Sequence, residues 1–471
     1  MKTRLLSDLA QTATTHFTAT VSNPLGLTLD WVKISVDGAT PVAATMTVGN
    51  PNNYYIDWPS SEALNPSEHT VEATAQIHDS LGTVPLDSTA SLGNDRVADD
   101  IIADVRLQSL KFNNSITLNT DATTAVPSPQ YTWNPATNAL LTSNPAAYIQ
   151  GSAASLTMVL GSLAGAPLTG TTPIGYALKL QANPNTTGPA VGNPPVTPPP
   201  DPVLTLYDNT TSTPFVPTVC TSSATVNATT VLDAWVAKYT TTIPTLNFYV
   251  KFTSVTPAVW RMVNSYGSAS LGKPIYAVLA TPTAPMAAPW TGVLDDACVW
   301  AARTSNATNA SKALASGLYA SGQYNGGFIQ DTDSTTSPET FYLLDFVYYN
   351  FAKGTAALYG QCNDFSDFLV CASNAIGAKP LQSQRIIGPF HTNPITASPD
   401  PVFADAAFRP WNYHQFTGTT TFFDGCLRFQ AYTTPANLPL LTYTNGLVAP
   451  GYIYTVLPLF TPIIATSRPI P

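Results

Sequence analysis

The chain has few charged residues and no cluster of basic ones. Of its 471 residues, 19 are Lys or Arg and 28 are Asp or Glu, so only 10% are charged and the net charge is −9. Folded proteins usually carry about a quarter of charged residues. With so little positive charge, we expect neither nucleic acid nor an anionic membrane surface to be a partner.

Uninterrupted apolar runs are also missing, and so is a recognisable secretory leader. The stretch from Tyr452 to Ala465 is apolar but is broken by Pro458 and Pro462, whereas a membrane-spanning helix needs about 20 apolar residues. The basic N-terminus is followed by an apolar region too short for a signal peptide. A composition rich in Thr, Ser, Asn and Pro nevertheless resembles secreted or surface-displayed β-rich proteins. We therefore expect no membrane span and an extracellular or cell-surface location. Three alternatives stay open for the missing leader: the signal has been removed, export uses another route, or the protein stays inside the cell.

Several motifs that carry metal, phosphate or serine chemistry are absent. The chain contains no His-Glu-x-x-His, no Cys-x-x-Cys, no Gly-x-Ser-x-Gly and no P-loop. Asp331 and Asp333 suggest a calcium loop, but the remainder of that motif is missing, so a polar turn is favoured. We expect no metal site and no cofactor.

Cysteine is scarce, and its count of five is odd. An odd cysteine in a secreted chain suggests one free and reactive thiol, and Cys362 is the candidate for it. Cys220 with Cys298 and Cys371 with Cys426 would then form two disulfides, although four cysteines allow three pairings. The alternative is that all five are reduced and buried.

The first region, residues 1–96, alternates apolar and polar residues with the period of half-buried strands. Short strands at this spacing are typical of a β-sandwich, and the region resembles the immunoglobulin-like modules of bacterial surface proteins. His16, His69 and His78 lie here and are interpreted as structural or solvated. The clearest strand patterns are Phe17–Val21, Leu29–Val36, Asn53–Trp58 and His69–Ile77.

The second region, residues 97–283, is predicted to be mostly β. The Pro-rich stretch Pro184–Pro202 is expected to be extended, either as a loop or as a linker between two β units. The apolar spacing of Leu232, Trp235 and Val236 predicts one short helix over Ala228–Lys238.

The third region, residues 284–471, changes from a helical to a strand pattern, which predicts an α+β domain. After Cys362, an apolar stripe at helical spacing leads to Gly377, a plausible helix stop. The other predicted helices are Trp290–Ala302, a segment around Leu314 and Leu318, and Phe341–Tyr349. The predicted strands include Gln384–Ile387, Tyr413–Thr417 and Thr421–Cys426.

Cys362 is the candidate nucleophile because it begins a predicted helix after a glycine turn. The partial positive charge and free N–H groups at a helix start favour a thiolate, which is the reactive form of cysteine. Cys371 lies nine residues further along, on the opposite helix face, and is interpreted as structural.

His414 and Asp424 are the candidate base and orienting carboxylate. A hairpin that turns at Thr419 would place them directly opposite each other, with Cβ atoms about 5 Å apart. A carboxylate at that distance can orient an imidazole and stabilise its cation. His391 is interpreted as a surface histidine in a loop. The alternative for Asp424 is a surface aspartate beside a turn.

Three motifs in this order resemble the transglutaminase-like superfamily, over residues 286–430. They are Gly360-Gln-Cys362 with its helix, the segment Phe408–Phe416 that contains His414, and Phe422-Phe-Asp424. The resemblance implies a papain-like fold with a Cys362-His414-Asp424 triad. Asn363 stands where animal transglutaminases have Trp, which departs from the crosslinking enzymes.

The sequence thus predicts a secreted or surface thiol enzyme that performs acyl transfer on peptide or protein amides. Water as acceptor would make it a protease or amidase, and an amine would make it a crosslinking enzyme. The alternative is a non-catalytic surface or structural binding protein with an inactive transglutaminase-like module. A bond between Cys362 and Cys426 would leave the site inactive or redox-gated. A carbohydrate-active protein is a third class, for which spacing gives no test.

Overall fold

The computed structural model of the chain is mostly β-sheet, with few helices. Only part of the predicted Pro-rich segment, Pro184 itself, lies within the described residues, and the side chains of His16, His69, His78 and Cys220 lie outside them. The residues that the structure describes are 2–8, 14–22, 28–36, 39–59, 69–78, 86–95, 105–133, 139–162, 174–184, 203–210, 218–220, 223–243, 246–252, 259–266, 269–324, 331–349, 358–379, 381–397, 410–429 and 436–467.

The N-terminal region forms two four-stranded antiparallel sheets, in the orders β1-β2-β6-β5 and β4-β3-β7-β8. Both sheets contribute to one apolar core, for example through Val21 and Ile56 from the first and Ile34 and Ala73 from the second. The four predicted strands are confirmed, and the immunoglobulin-like likeness stays a prediction. The strands are β1 (Lys2–Asp8), β2 (Thr14–Ser22), β3 (Thr28–Val36), β4 (Val42–Ala43), β5 (Thr45–Thr47), β6 (Asn50–Pro59), β7 (His69–His78) and β8 (Leu86–Asp95).

The middle region is also β, as predicted, and forms a five-stranded and an eight-stranded sheet. The strands are β9 (Val105–Asn113), β10 (Gln130–Trp133), β11 (Leu140–Ser143), β12 (Ala146–Ile149), β13 (Ala153–Ser162), β14 (Ile174–Pro184), β15 (Leu204–Asp208), β16 (Thr218–Cys220), β17 (Ser223–Val231), β18 (Ala237–Ile243), β19 (Leu246–Phe252), β20 (Val259–Tyr266) and β21 (Ala269–Val278). The first sheet has the order β11-β10-β9-β13-β17. The second has the order β12-β21-β18-β14-β19-β20, and β15 and β16 also pair with β14.

The short helix predicted over Ala228–Lys238 is wrong. β17 continues to Val231, and β18 begins at Ala237 after a short irregular connection. The β17 sequence is rich in Thr and Val, whose branched side chains favour strands. Pairing of β17 along β13 therefore decides the local structure, although Leu232 and Val236 are buried as expected.

The described residues of the C-terminal region form four α-helices and short strands. Three predicted helices are confirmed as α1 (Thr291–Trp300), α2 (Ala307–Ser321) and α3 (Cys362–Ala375), and α4 (Leu440–Leu447) was not predicted. The strands are β22 (Gly322–Tyr324), β23 (Thr332–Asp333), β24 (Thr340–Tyr342), β25 (Leu358–Gly360), β26 (Gln382–His391), β27 (Ile395–Ala397), β28 (Pro410–Gly418), β29 (Thr421–Phe423), β30 (Leu427–Phe429), β31 (Ala436–Pro439), β32 (Thr455–Val456) and β33 (Ile463–Ala465). A five-stranded antiparallel sheet has the order β31-β29-β28-β26-β32.

Two further expectations for this region need correction. The predicted helix Phe341–Tyr349 is partly wrong, because β24 includes Phe341 and a π-helical turn follows over Asp345–Tyr349. His391 ends β26 and stacks on the Tyr452 ring with centroids 4.7 Å apart, so it does not lie in a loop.

Helix α3 is the centre of this region, because all of its residues are buried. Its predicted apolar stripe, which includes Phe365, Phe368 and Leu369, packs with α1 and α2 in one core. That core also contains Tyr276 and Val278 of β21, so the middle and C-terminal regions share it. No described helix has the length and apolar character of a transmembrane segment.

Candidate active site

Cys362 is the first residue of α3, where the sequence predicts the nucleophile. Gln361 precedes it in extended conformation, and the Asp364 Oδ2 atom accepts a hydrogen bond from the Gln361 N–H at 2.8 Å. This contact fixes the start of the helix. The first N–H groups of a helix have no partner within it, so the sulfur lies at the electropositive end of α3.

The cysteines do not form the predicted disulfides. Cys298, Cys362, Cys371 and Cys426 are all free and buried. The expected disulfides Cys371–Cys426 and Cys220–Cys298 are therefore wrong. The alternative, in which the cysteines are reduced and buried, is correct for Cys298, Cys362, Cys371 and Cys426. The bond between Cys362 and Cys426 that would inactivate the site is not formed either, so Cys362 is available as a thiol.

His414 and Asp424 are in direct contact. The His414 Nε2 atom is 2.9 Å from Asp424 Oδ2, and the exposed fractions of the two residues are 0% and 2%. The expected register is wrong, however. Thr417 pairs with Phe423 and Gly418 with Phe422, so the hairpin turns at Thr420, one residue later than predicted.

The contact survives this register shift because Asp424 lies just beyond the end of β29. The pairing extended by one residue would bring Asp424 opposite Phe416, and His414 is two residues from Phe416 on the same face of β28. The Asp424 Oδ1 atom accepts hydrogen bonds from the N–H groups of Cys426 at 2.8 Å and Leu427 at 3.1 Å. The carboxylate is thus held by the turn backbone and aimed at the imidazole.

Tyr443 is a fourth member of this group that the sequence did not indicate. Its hydroxyl donates to Asp424 Oδ2 at 2.6 Å and lies 3.1 Å from His414 Nε2. The side chain is fully buried on α4. Its phenol is surrounded by apolar residues and faces Asp424, and both conditions raise the pKa of Tyr443 well above the ordinary value. The hydroxyl is therefore a neutral donor at physiological pH.

Nδ1, the second imidazole nitrogen of His414, is the atom that is left to exchange a proton with the nucleophile. Nε2 is occupied by Asp424 and Tyr443, and the buried Nδ1 atom makes no hydrogen bond. Burial alone would lower the pKa of His414, but the Asp424 charge and hydrogen bond and the neighbouring Cys362 together raise it to about 9. Cys362 is thus one of the groups that act on the charge of the imidazole. Catalytic hydrogen bonds are often poorly aligned in a ligand-free site.

A polar network supports the other face of α3. Asp367 Oδ1 accepts hydrogen bonds from Ser383 Oγ at 2.6 Å and Gln415 Nε2 at 2.9 Å, and Asp364 Oδ1 accepts the Asp331 N–H at 2.9 Å. Burial raises the pKa of Asp364 to about 7, and it raises that of Asp367 well above the ordinary value. These contacts tie α3 to β26 and β28, the strand that carries His414.

A second set of contacts lies on the side of Gln361. The Tyr413 hydroxyl donates to Gln361 Oε1 at 3.3 Å, and the Arg385 guanidinium lies 4.8 Å from the centre of the Tyr413 ring. Arg385 also forms an ion pair with Glu339. The contact with Gln361 places the Tyr413 hydroxyl beside the residue that precedes the nucleophile, and burial together with Cys362 raises the pKa of Tyr413.

Metal ligation finds no support in the described part of the chain, where no cluster of three His, Cys, Asp or Glu residues fits a metal ion. Asp331, one of the two residues that suggested a calcium loop, instead donates its backbone N–H to Asp364 in the first turn of α3.

A cavity of about 510 Å³ lies away from this site, between the middle region and α1. Lys238 and Asp295 line it and form an ion pair at 2.8 Å.

Comparison with known proteins adds no relative. A scan against protein-family models gave no match, and a search of curated proteins gave none either. The resemblance to the transglutaminase-like superfamily therefore stays a prediction.

Proposed function

We propose that the C-terminal region is a thiol enzyme that transfers the acyl group of peptide or protein amides. The observation that carries the proposal is the 2.9 Å contact between His414 Nε2 and Asp424 Oδ2, which leaves Nδ1 without a hydrogen-bond partner in the geometry, together with a reduced Cys362 that acts electrostatically on the imidazole. This arrangement gives a nucleophile, a base and an orienting group. The raised pKa of His414, about 9, makes the imidazole a strong enough base to take the Cys362 proton, and the resulting cation stabilises the reactive thiolate.

The first half of the proposed reaction forms a thioester. The Cys362 thiol transfers its proton to His414 Nδ1, and the sulfur attacks the carbonyl carbon of the substrate amide. The tetrahedral intermediate collapses when the C–N bond breaks and His414 returns the proton to the leaving amine. Asp424 stabilises the cationic imidazole during these steps.

The second half releases the acyl group. His414 withdraws a proton from the acceptor, which attacks the thioester carbonyl, and the sulfur leaves and regains a proton. Water as acceptor gives a carboxylic acid, and a primary amine gives a new amide. The steps as written use only side chains and backbone groups of this chain.

The start of α3 supplies the donors for the developing oxyanion. The backbone N–H of Cys362 is the first donor, because it belongs to the first residue of a helix, where N–H groups have no partner within the helix. The carboxamide of Gln361 is the second candidate, because the Tyr413 hydroxyl fixes its oxygen and leaves its nitrogen to donate. One such donor typically contributes about 10²–10³-fold to the rate.

The test uses two alanine variants of the same helix. The protein is incubated with fluorogenic peptide amides, and separately with casein and a fluorescent primary amine. We expect Cys362→Ala to abolish product formation and Cys371→Ala, which removes an equally buried and free thiol of α3, to retain it. Amine incorporation would identify a crosslinking enzyme, and amine release alone a hydrolase. Equal activity in both variants would contradict the proposal.

A non-catalytic binding module is the second candidate. The observation that favours it is the burial of Cys362, of which only 3% is exposed, since a nucleophile must meet its substrate. Under this alternative, His414 and Asp424 form a structural contact. Binding of peptides without any thioester at Cys362, detected by mass spectrometry of the intact protein, would favour it.

A further inference from the structure

Tyr443 completes the hydrogen bonding of the Asp424 carboxylate. Oδ1 is bonded to the N–H groups of Cys426 and Leu427, and Oδ2 is bonded to His414 Nε2 and to the Tyr443 hydroxyl. Every one of these partners donates to the carboxylate. Tyr443 donates to Oδ2, the same Asp424 oxygen that contacts His414, so the phenol acts on the atom that orients the imidazole.

The ring of Tyr443 is itself fixed by packing. Its centroid lies 4.2 Å from that of Phe416 and 5.3 Å from that of Phe429, and the residue is fully buried. The hydroxyl has therefore little freedom to leave Asp424. Since Phe416 is two residues after His414 on β28, the same strand positions the imidazole and the phenol.

The geometry also selects one tautomer of His414. The Tyr443 hydroxyl uses its proton on Asp424, so its oxygen can only accept from His414 Nε2 at 3.1 Å. The Asp424 carboxylate can likewise only accept a hydrogen bond from Nε2. Both neighbours therefore require a proton on Nε2, so Nδ1 is the nitrogen that exchanges a proton with Cys362.

Building on the proposed function, we propose that Tyr443 is a positioning residue that holds Asp424 against His414. It acts through Asp424 and keeps the His414 proton on Nε2, so that Nδ1 can accept the proton of Cys362. The sequence-derived triad thus becomes a group of four, with Tyr443 supplied by α4.

The kinetic test measures the rate of Cys362 alkylation by iodoacetamide at pH 7 in the full-length protein. Tyr443→Phe keeps the ring and removes only the hydroxyl, and we expect it to lower the rate about tenfold. Asp424→Asn should lower the rate at least as much. In the Asp424→Asn background, Tyr443→Phe should change the rate less than about twofold, because it acts through the same carboxylate. An equal loss in both backgrounds would overturn the inference.

The control is Tyr131→Phe, which removes another buried hydroxyl, one that donates to the Lys273 carbonyl at 3.0 Å. It should leave the alkylation rate unchanged. A second readout uses protein with ¹⁵N-labelled histidine. A slowly exchanging Nε2–H signal of His414 is expected in the wild type and in Tyr131→Phe, and it should exchange faster in Tyr443→Phe, where Asp424 remains as the acceptor.

The same exchange rate of this signal in the wild type and in Tyr443→Phe would also overturn the inference. If Cys362 of the wild type proves unreactive, the proposed function fails. The NMR comparison then still decides whether Tyr443 fixes the His414 tautomer.

Discussion

The ionisation of His414 should make the stability of the C-terminal region depend on pH. Two opposing effects act on this imidazole. Burial favours the neutral form, and Asp424, 2.9 Å from Nε2, favours the cation. Asp424, with the help of Cys362, outweighs burial, and the pKa of His414 rises from 6.5 to about 9.

The sign and size of the effect follow from linkage. Because the pKa is raised in the folded state, the contribution is fully present below pH 6.5 and is lost as the pH rises through 9. A shift from 6.5 to about 9 corresponds to about 3 kcal/mol of unfolding free energy. His414→Gln removes the titrating group, so the wild type should lose about 3 kcal/mol relative to this variant between pH 6 and pH 9.5.

Urea unfolding read at Cys371 provides the assay. This thiol is free and fully buried on α3, so a pulse of alkylating reagent labels it only when the region unfolds. Mass spectrometry of the Cys371 peptide separates this transition from those of the β regions. Unfolded protein at each pH corrects for the reactivity of the reagent.

Two outcomes would refute the reasoning. A constant difference between the wild type and His414→Gln from pH 6 to pH 9.5 would mean that His414 does not titrate in this range. A difference that grows with pH would mean that burial outweighs Asp424 and that the imidazole is neutral in the folded protein.

Two further predictions concern the packing of α3. Phe368→Ala should lower the unfolding free energy by about 3–5 kcal/mol in the same assay, because the ring is fully buried against Trp300 and Phe346, at 6.0 and 5.2 Å between centroids. A loss below about 1 kcal/mol would contradict this packing. Gly377→Ala should destabilise more than Gly272→Ala, measured by thermal unfolding. Both glycines have positive φ, but only at Gly377 would the added Cβ collide with backbone atoms. Equal losses would contradict the close approach at Gly377.

The sequence predicted helices well where one apolar stripe dominates. Phe365, Phe368 and Leu369 repeat at helical spacing and all pack in the core. The same spacing misled at Leu232 and Val236, because Leu232 is buried in the core of the middle region and Val236 in the core shared with α1, α2 and α3, while the backbone that joins β17 to β18 is irregular. Periodicity reports which residues are buried, and strand pairing decides the backbone conformation.

The candidate site was predictable in part. The motif order brought Cys362, His414 and Asp424 into consideration, and the structure brings His414 and Asp424 into contact. The register could not be predicted, because it depends on whether the hairpin turns at Thr419 or one residue later. Tyr443 follows Asp424 by 19 residues on a helix that the sequence did not indicate, and its role depends on tertiary packing.

The buried carboxylates of α3 were equally hidden from the sequence. Asp364 and Asp367 in an amphipathic helix would ordinarily face water. Both are fully buried and bonded to β26, β28 and the segment before β23. The extracellular location and the amide substrate remain predictions.

Site-resolved alkylation of the native protein tests the central claim most directly. The chain provides its own controls, since Cys298, Cys371 and Cys426 are also free and buried. Iodoacetamide labelling followed by peptide mass spectrometry should modify Cys362 in the folded protein and the other three only after denaturation. Modification of Cys362 only after denaturation, together with the others, would contradict a reactive thiol at the start of α3.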